Sequence, residues 1–270
     1  MIGENLLVKE REEELNNLKE MFLIVYKEHE DLSKECVVLY NRYNLVFGKI
    51  FYDRYLLYTE ILRFKRKIEL YQSYLNREEE IDKNLVEVIL NSELKEYEEK
   101  LAKILEEYRL AEEFNRLPLL SKNEIYEVKR IYLKIAKRIH PDIDPNFNEI
   151  KKDLWQKTLN AYKLNDLETL RECEYILDNF LHLEESKENE LDNLDQEIEK
   201  LKSKIEKLQN RNNYIVNTFP YDQKELLNNS TLIDEKLLEV KADIELFREN
   251  LGNLEKRLKE IDPDYEKEIC

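Results

Sequence analysis

At 270 residues, with 39% charged side chains, three glycines and five prolines, the chain is too highly charged and too poor in turn residues for one large globular core, and it reads as long helices with narrow apolar seams. The formal net charge of −16 argues against binding nucleic acid or an anionic membrane, since both reward dense positive charge. Met1 to Arg11 lacks the apolar core of a signal peptide and no uncharged stretch is long enough to span a bilayer, so a cytoplasmic protein is expected.

The seam positions of the first element fall at Leu15, Leu18, Phe22, Val25, His29, Leu32, Cys36, Leu39, Tyr43, Val46 and Ile50. Alternating steps of three and four make this a heptad seam. Its phase slips near Asp53 and Arg54, a stutter that unwinds a supercoil without ending the helix, and resumes from Leu57 to Leu75. Gly48 beside the slip reads as a weak point. His29 has no second His or Cys at a ligand spacing and reads as part of a polar layer in the seam. The many tyrosines from Tyr26 to Tyr74, with Phe22, Phe47, Phe51 and Phe64, point to a wide apolar face packed on other helices; a client-holding surface is the alternative. Arg63 to Lys67 reads as a solvated face in so acidic a chain.

A bend is expected across Asn76 to Asn91, then a helix from Ser92 whose hydroxyl caps it. Leu94, Tyr97, Leu101, Ile104, Tyr108 and Ala111 form its seam, which predicts an antiparallel hairpin with the first helix, ended by Leu117-Pro118. From Ser121 a basic helix follows, with apolar residues at Ile125, Val128, Ile131, Tyr132, Ile135, Ala136 and Ile139 on one stripe and Lys129, Arg130, Lys134, Lys137 and Arg138 on the rest. Pro141 has no N–H and disfavours helix at the residue before it, so this helix stops near His140. Asp142, Asp144, Pro145 and Asn146 make a turn-rich loop. A second helix starts near Phe147 or Asn148 and shows Ile150, Leu154, Trp155, Leu159, Tyr162 and Leu164; the pair makes a hairpin with His140-Pro141-Asp142 at its exposed tip. Another helix, capped near Asn165 or Asp166, runs through Cys173, Leu177 and Leu181, and His182 reads as a surface residue. Heptads at Leu191, Leu194, Ile198, Leu201, Ile205 and Leu208 and at Leu237 to Ile261 flank a break from Gln209 to Ser230, predicting a second helical hairpin.

The string Glu127-Val-Lys-Arg-Ile-Tyr-Leu-Lys-Ile-Ala-Lys-Arg-Ile-His-Pro-Asp142, followed by Trp155 and Asn160-Ala161-Tyr162, resembles helix II, the HPD loop and helix III of a J domain, the module of DnaJ-type co-chaperones. The resemblance covers about a fifth of the chain, and an HPD tripeptide in that flanking context is a specific signal. It implies docking onto a DnaK-type heat-shock chaperone and stimulation of its ATPase. Lys129, Arg130, Lys134, Lys137 and Arg138 are then the steering and docking residues, and His140, Pro141 and Asp142 the trigger, while Tyr132, Ile135, Ala136, Trp155, Leu159 and Tyr162 are core. The chain departs from the family in three places. The usual first helix is not visible and Phe114 to Leu120 offers a shortened substitute; Leu133 stands where an Arg is common; and no Gly/Phe-rich linker or cysteine-rich repeat follows.

The expected architecture is all-α: an N-terminal coiled-coil hairpin over 1–117, a J-like module over 118–180 and a C-terminal coiled-coil hairpin over 181–270, with homodimerisation through the coiled coils open. No enzyme is expected, because His140 and Asp142 lack the third group and pocket that acid–base catalysis needs, and no phosphate loop or activated nucleophile is present. Cys36, Cys173 and Cys270 are too scattered for a disulfide framework or zinc site, Cys36 reading as a small buried hydrophobe, so neither cofactor nor metal is expected. The function expected is recruitment of a DnaK-type chaperone, with the coiled coils selecting an unknown client or site. The alternative is a structural scaffold whose J-like hairpin is only a docking element.

Overall fold

The computed structural model describes residues 2–116, 120–180, 191–263 and 265, with the side chains of 2–6, 180, 191 and 192 excepted. Leu117-Pro118, Leu181, His182, Cys270 and the side chain of Leu191 therefore lie outside the described residues. The described chain is all-α: α1 Ile2–Asn76, α2 Lys83–Asn115, α3 Lys122–Ile139, α4 Glu149–Leu164, α5 Leu167–Phe180, α6 Leu191–Val216, α7 Lys224–Asn228 and α8 Ser230–Ile261. None of these helices is long and apolar enough to cross a membrane.

Contacts group the chain into two units, Met1–Val37 with Pro118–Asp222, and Val38–Leu117 with Gln223–Cys270. This grouping cuts across the three consecutive segments expected, because α1 serves both units. In the second unit Ile61, Phe64, Ile68 and Tyr71 of α1 close a core with Val86 and Leu90 of α2 and Leu251 and Leu258 of α8. The expected hairpin of α1 and α2 is present, and α8 is its third helix. The expected start of α2 at Ser92 is corrected: Asp82 caps it, its side chain accepting the Leu85 N–H at 2.9 Å. The apolar run from Leu85 is thus already helical, with Val86 and Leu90 turned inward at i,i+4. Gly48 is no weak point either. A Cβ there would stand 3.1 Å from Tyr108, so the glycine lets α2 approach α1 closely. Helix α1 runs unbroken through the stutter, where Arg54 pairs with Asp243 at 3.1 Å. The Arg63 to Lys67 cluster is ion-paired to α2: Arg63 and Lys67 meet Glu87, and Arg66 meets Glu93.

In the first unit α3, α4 and α5 pack on one another around Ile131, Ile135, Tyr162, Leu170 and Leu177, and Leu23 of α1 completes that cluster. The seam of α6 is as expected, but its partner is corrected. Leu194, Ile198, Leu201, Ile205 and Leu208 pack on Leu15, Phe22 and Val25 of α1, where a hairpin with the last helix was expected. Helix α6 also runs on to Val216, through the first part of the break expected from Gln209. Asn212, within the expected break, is buried inside the seam and bonded to His29, Oδ1 to Nδ1 at 2.8 Å. His29 thus sits in a polar layer. Cys36 is half-buried, against the expectation of full burial, while Cys173 is buried.

Candidate partner-binding site

Helix α3 opens with a capping box. Ser121 Oγ accepts the Glu124 N–H at 3.3 Å, and the Glu124 carboxylate accepts the Ser121 N–H at 2.7 Å. Val128, Ile131, Tyr132, Ile135, Ala136 and Ile139 are buried as the stripe requires, and only its first member, Ile125, stands exposed. The helix stops at His140, whose backbone is extended (φ −65°, ψ 132°) ahead of Pro141.

The loop that follows is fixed by its own side chains. The His140 carbonyl accepts the N–H groups of Ile143 and Asp144, both at 2.9 Å. Asp144 forms a largely buried ion pair with Lys151 at 2.8 Å, and the Lys151 ammonium donates to the Asn146 carbonyl at 3.0 Å. Asn148 caps α4 by accepting the Lys151 N–H at 3.0 Å. A loop so tied presents a defined surface, because few of its torsions remain to be ordered on binding.

Pro141 and Asp142 are exposed on that surface, as expected. His140 is not: it is 1% exposed, a correction to the imidazole expected at the tip. Its ring packs against Phe22, Tyr26 and Trp155 at centroid distances of 5.1, 4.6 and 4.8 Å. The physical reason is α1, whose two aromatic residues close over the hairpin from a remote part of the sequence. The Asp142 N–H donates to His140 Nδ1 at 3.1 Å, which places the neutral ring's proton on Nε2. Burial pulls the His140 pKa down to about 4; Asp142 opposes that shift and Lys204 adds to it.

The five basic residues of α3 divide into two faces. Arg130, Lys134 and Arg138, each four residues apart, face α5. Arg130 and Lys134 meet Glu174 at 3.1 and 2.9 Å, while Lys134 and Arg138 meet Asp178 at 2.6 and 2.9 Å. Burial tends to raise the Glu174 pKa, but hydrogen bonds from Arg130 and Lys134 outweigh it and hold the carboxyl below its ordinary range. Lys129 and Lys137 face α1, meeting Asp31 at 3.1 Å and Glu20 at 3.4 Å. Asp142 meets Lys204 of α6 at 2.6 Å. Every charged residue of the expected site is therefore ion-paired within its own unit.

Glu174, Asp178, Asp31 and Lys204 were not singled out from the sequence. For α5 a signal exists, since Glu174 and Asp178 are spaced i,i+4 like the cations they meet. Nothing local marks Lys204 or Asp31. Asp31 also accepts a hydrogen bond from the Tyr162 hydroxyl at 2.6 Å, and Lys34 lies 3.3 Å above the Tyr162 ring, so α1 is bonded to the core of the hairpin. The expected core residues Tyr132, Ile135, Ala136, Trp155 and Tyr162 are buried and Leu159 is half-buried. The third wall of the hairpin comes from α5 and α1, where Phe114 to Leu120 was expected; among the described residues of that stretch, Leu120 packs against the cluster.

In comparisons with known proteins, no family model, no curated protein and no solved structure matches this chain.

Proposed function

We propose that the chain is a J-type co-chaperone of the cytoplasm, which recruits a DnaK-type heat-shock chaperone through α3 and the His140-Pro141-Asp142 loop and stimulates its ATP hydrolysis. The observation that supports this most is the combination in one hairpin of a loop held rigid by Asp144 and Lys151, an exposed Pro141 and Asp142 at its tip, and five cations on the helix leading into it. A rigid carboxylate beside a field of cations suits a partner that offers a basic residue next to an acidic patch. The same groups suit binding: His140 is buried and its Nδ1 accepts the Asp142 N–H, so the ring shapes the loop and leaves Pro141 and Asp142 to meet a partner. Helices outside the hairpin supply the choice of client or site.

A second reading is favoured by one observation, the pairing of all six charged site residues with acids and a lysine of the same chain. On that reading the hairpin is a structural element of a scaffold protein. Single-turnover ATP hydrolysis by a DnaK-type chaperone separates the two, measured with the wild-type protein and with Asp142→Asn. Asp142 is the better residue to change, since it is exposed where His140 belongs to the core. Stimulation by the wild type that Asp142→Asn loses supports the co-chaperone; equal silence from two folded proteins supports the scaffold.

A further inference from the structure

The ion pairs around α3 have a chemistry in common with the partner proposed for it. Glu174 and Asp178 present two carboxylates on one face of α5 to Arg130, Lys134 and Arg138, as an acidic patch on a partner would. Lys204 presents a cation to Asp142 at 2.6 Å, as the partner's basic residue would. The stretch of α6 that carries Lys204 is fixed on α1. Its residues Leu201 and Ile205 are buried in the seam with α1, and the His29–Asn212 bond fixes the register of that seam. The loop overlies a crevice of about 170 Å³ lined by Leu15, Lys19, Glu197, Leu201 and Lys204, so α1 and α6 lie directly beneath it.

We infer that Glu174 and Asp178 of α5 and Lys204 of α6 act as a built-in surrogate partner, whose side chains occupy the docking face of α3 and the Asp142 carboxylate until the charges of a chaperone take their place while both helices stay packed. This inference rests on the proposed co-chaperone function and adds its regulation. The resident contacts suit such a role. The side chains of Lys204 and Asp142 are 46% and 33% exposed, and exposed ion pairs are weak enough to be exchanged for a better-placed partner. A competitor need supply only the same two charge patterns at closer fit to take the face. Any change that pulls Lys204 away from the loop has the same effect as a competitor.

The test is the concentration dependence of chaperone stimulation, measured in single-turnover ATP hydrolysis by a DnaK-type chaperone with the full chain. Four proteins are compared: wild type, Lys204→Ala, the double variant Glu174→Gln/Asp178→Asn, and Asp142→Asn. Thermal melting shows that each is folded. Surrogate occupancy predicts that Lys204→Ala and the double variant reach half-maximal stimulation at a several-fold lower concentration than wild type, while Asp142→Asn stays silent. Curves for Lys204→Ala and the double variant that superimpose on the wild type overturn the surrogate and leave the co-chaperone function standing. Weaker stimulation by Lys204→Ala also overturns it, because Lys204 would then assist docking. Silence from all four folded proteins overturns the co-chaperone function, and the surrogate falls with it.

Discussion

At the scale of single residues, His140 links the fold to its expected chemistry. Enclosed by Phe22, Tyr26 and Trp155 with a pKa near 4, it is neutral in the folded chain at a pH where the unfolded chain protonates it. As pH falls below about 6.5 the unfolded state takes up the proton first, so folding stability declines from there down to about pH 4. Between pH 7 and pH 5 the wild type should lose about 2 kcal/mol more than His140→Gln, measured by urea denaturation of both proteins at each pH. Equal losses would mean that the ring meets solvent. Trp155, 3% exposed and in ring contact with Tyr132 and His140, anchors the same cluster. Trp155→Ala should cost about 3–5 kcal/mol by the same assay.

At the scale of elements, helix ends are where sequence chemistry decided the outcome. Helix α4 closes on Asn165, which takes the left-handed conformation at φ 55° and gives the Asp166 N–H to the Ala161 carbonyl at 2.8 Å. Asp166 then caps α5 by accepting the Thr169 N–H at 3.0 Å. After α1, by contrast, the left-handed residue is Glu78, at φ 59°. Glu78→Gly should therefore raise stability by up to about 1 kcal/mol, seen as a higher urea midpoint with an unchanged slope. The heptads of α1, α6 and α8, the stop at Pro141 and the start of α4 near Phe147 or Asn148 were all legible, because each depends on residues within a few turns. Partner choice was not. An apolar seam shows that a face is covered but not by what, so Leu194 to Leu208 could not reveal α1 as their partner. The burial of His140 was hidden for the same reason, since Phe22 and Tyr26 enter from the far end of the sequence. The stretch from Gln209 misled because polar residues in a seam look like an end until a partner such as His29, bonded to Asn212, is seen.

At the scale of the whole molecule, each unit is discontinuous in sequence, and the hairpin expected to act as a module draws its third wall from α1. Leu23 and Tyr26 pack on it, and Asp31 bonds to Tyr162 and Lys129. A fragment of residues 120–180 alone should consequently lose its cooperative thermal transition, monitored by circular dichroism, and linking residues 7–37 to it should restore the transition. A sharp melt of the isolated fragment would show that the hairpin needs no help from α1. The 75 residues of α1 carry a further consequence in time. During synthesis Phe22 leaves the ribosome about 170 residues before Leu194, which at about 5–20 residues per second is a wait of roughly 10–35 s. Throughout that interval Leu15, Phe22 and Val25 lack the α6 side chains that cover them in the finished fold, so the start of the nascent helix keeps an apolar face in need of protection.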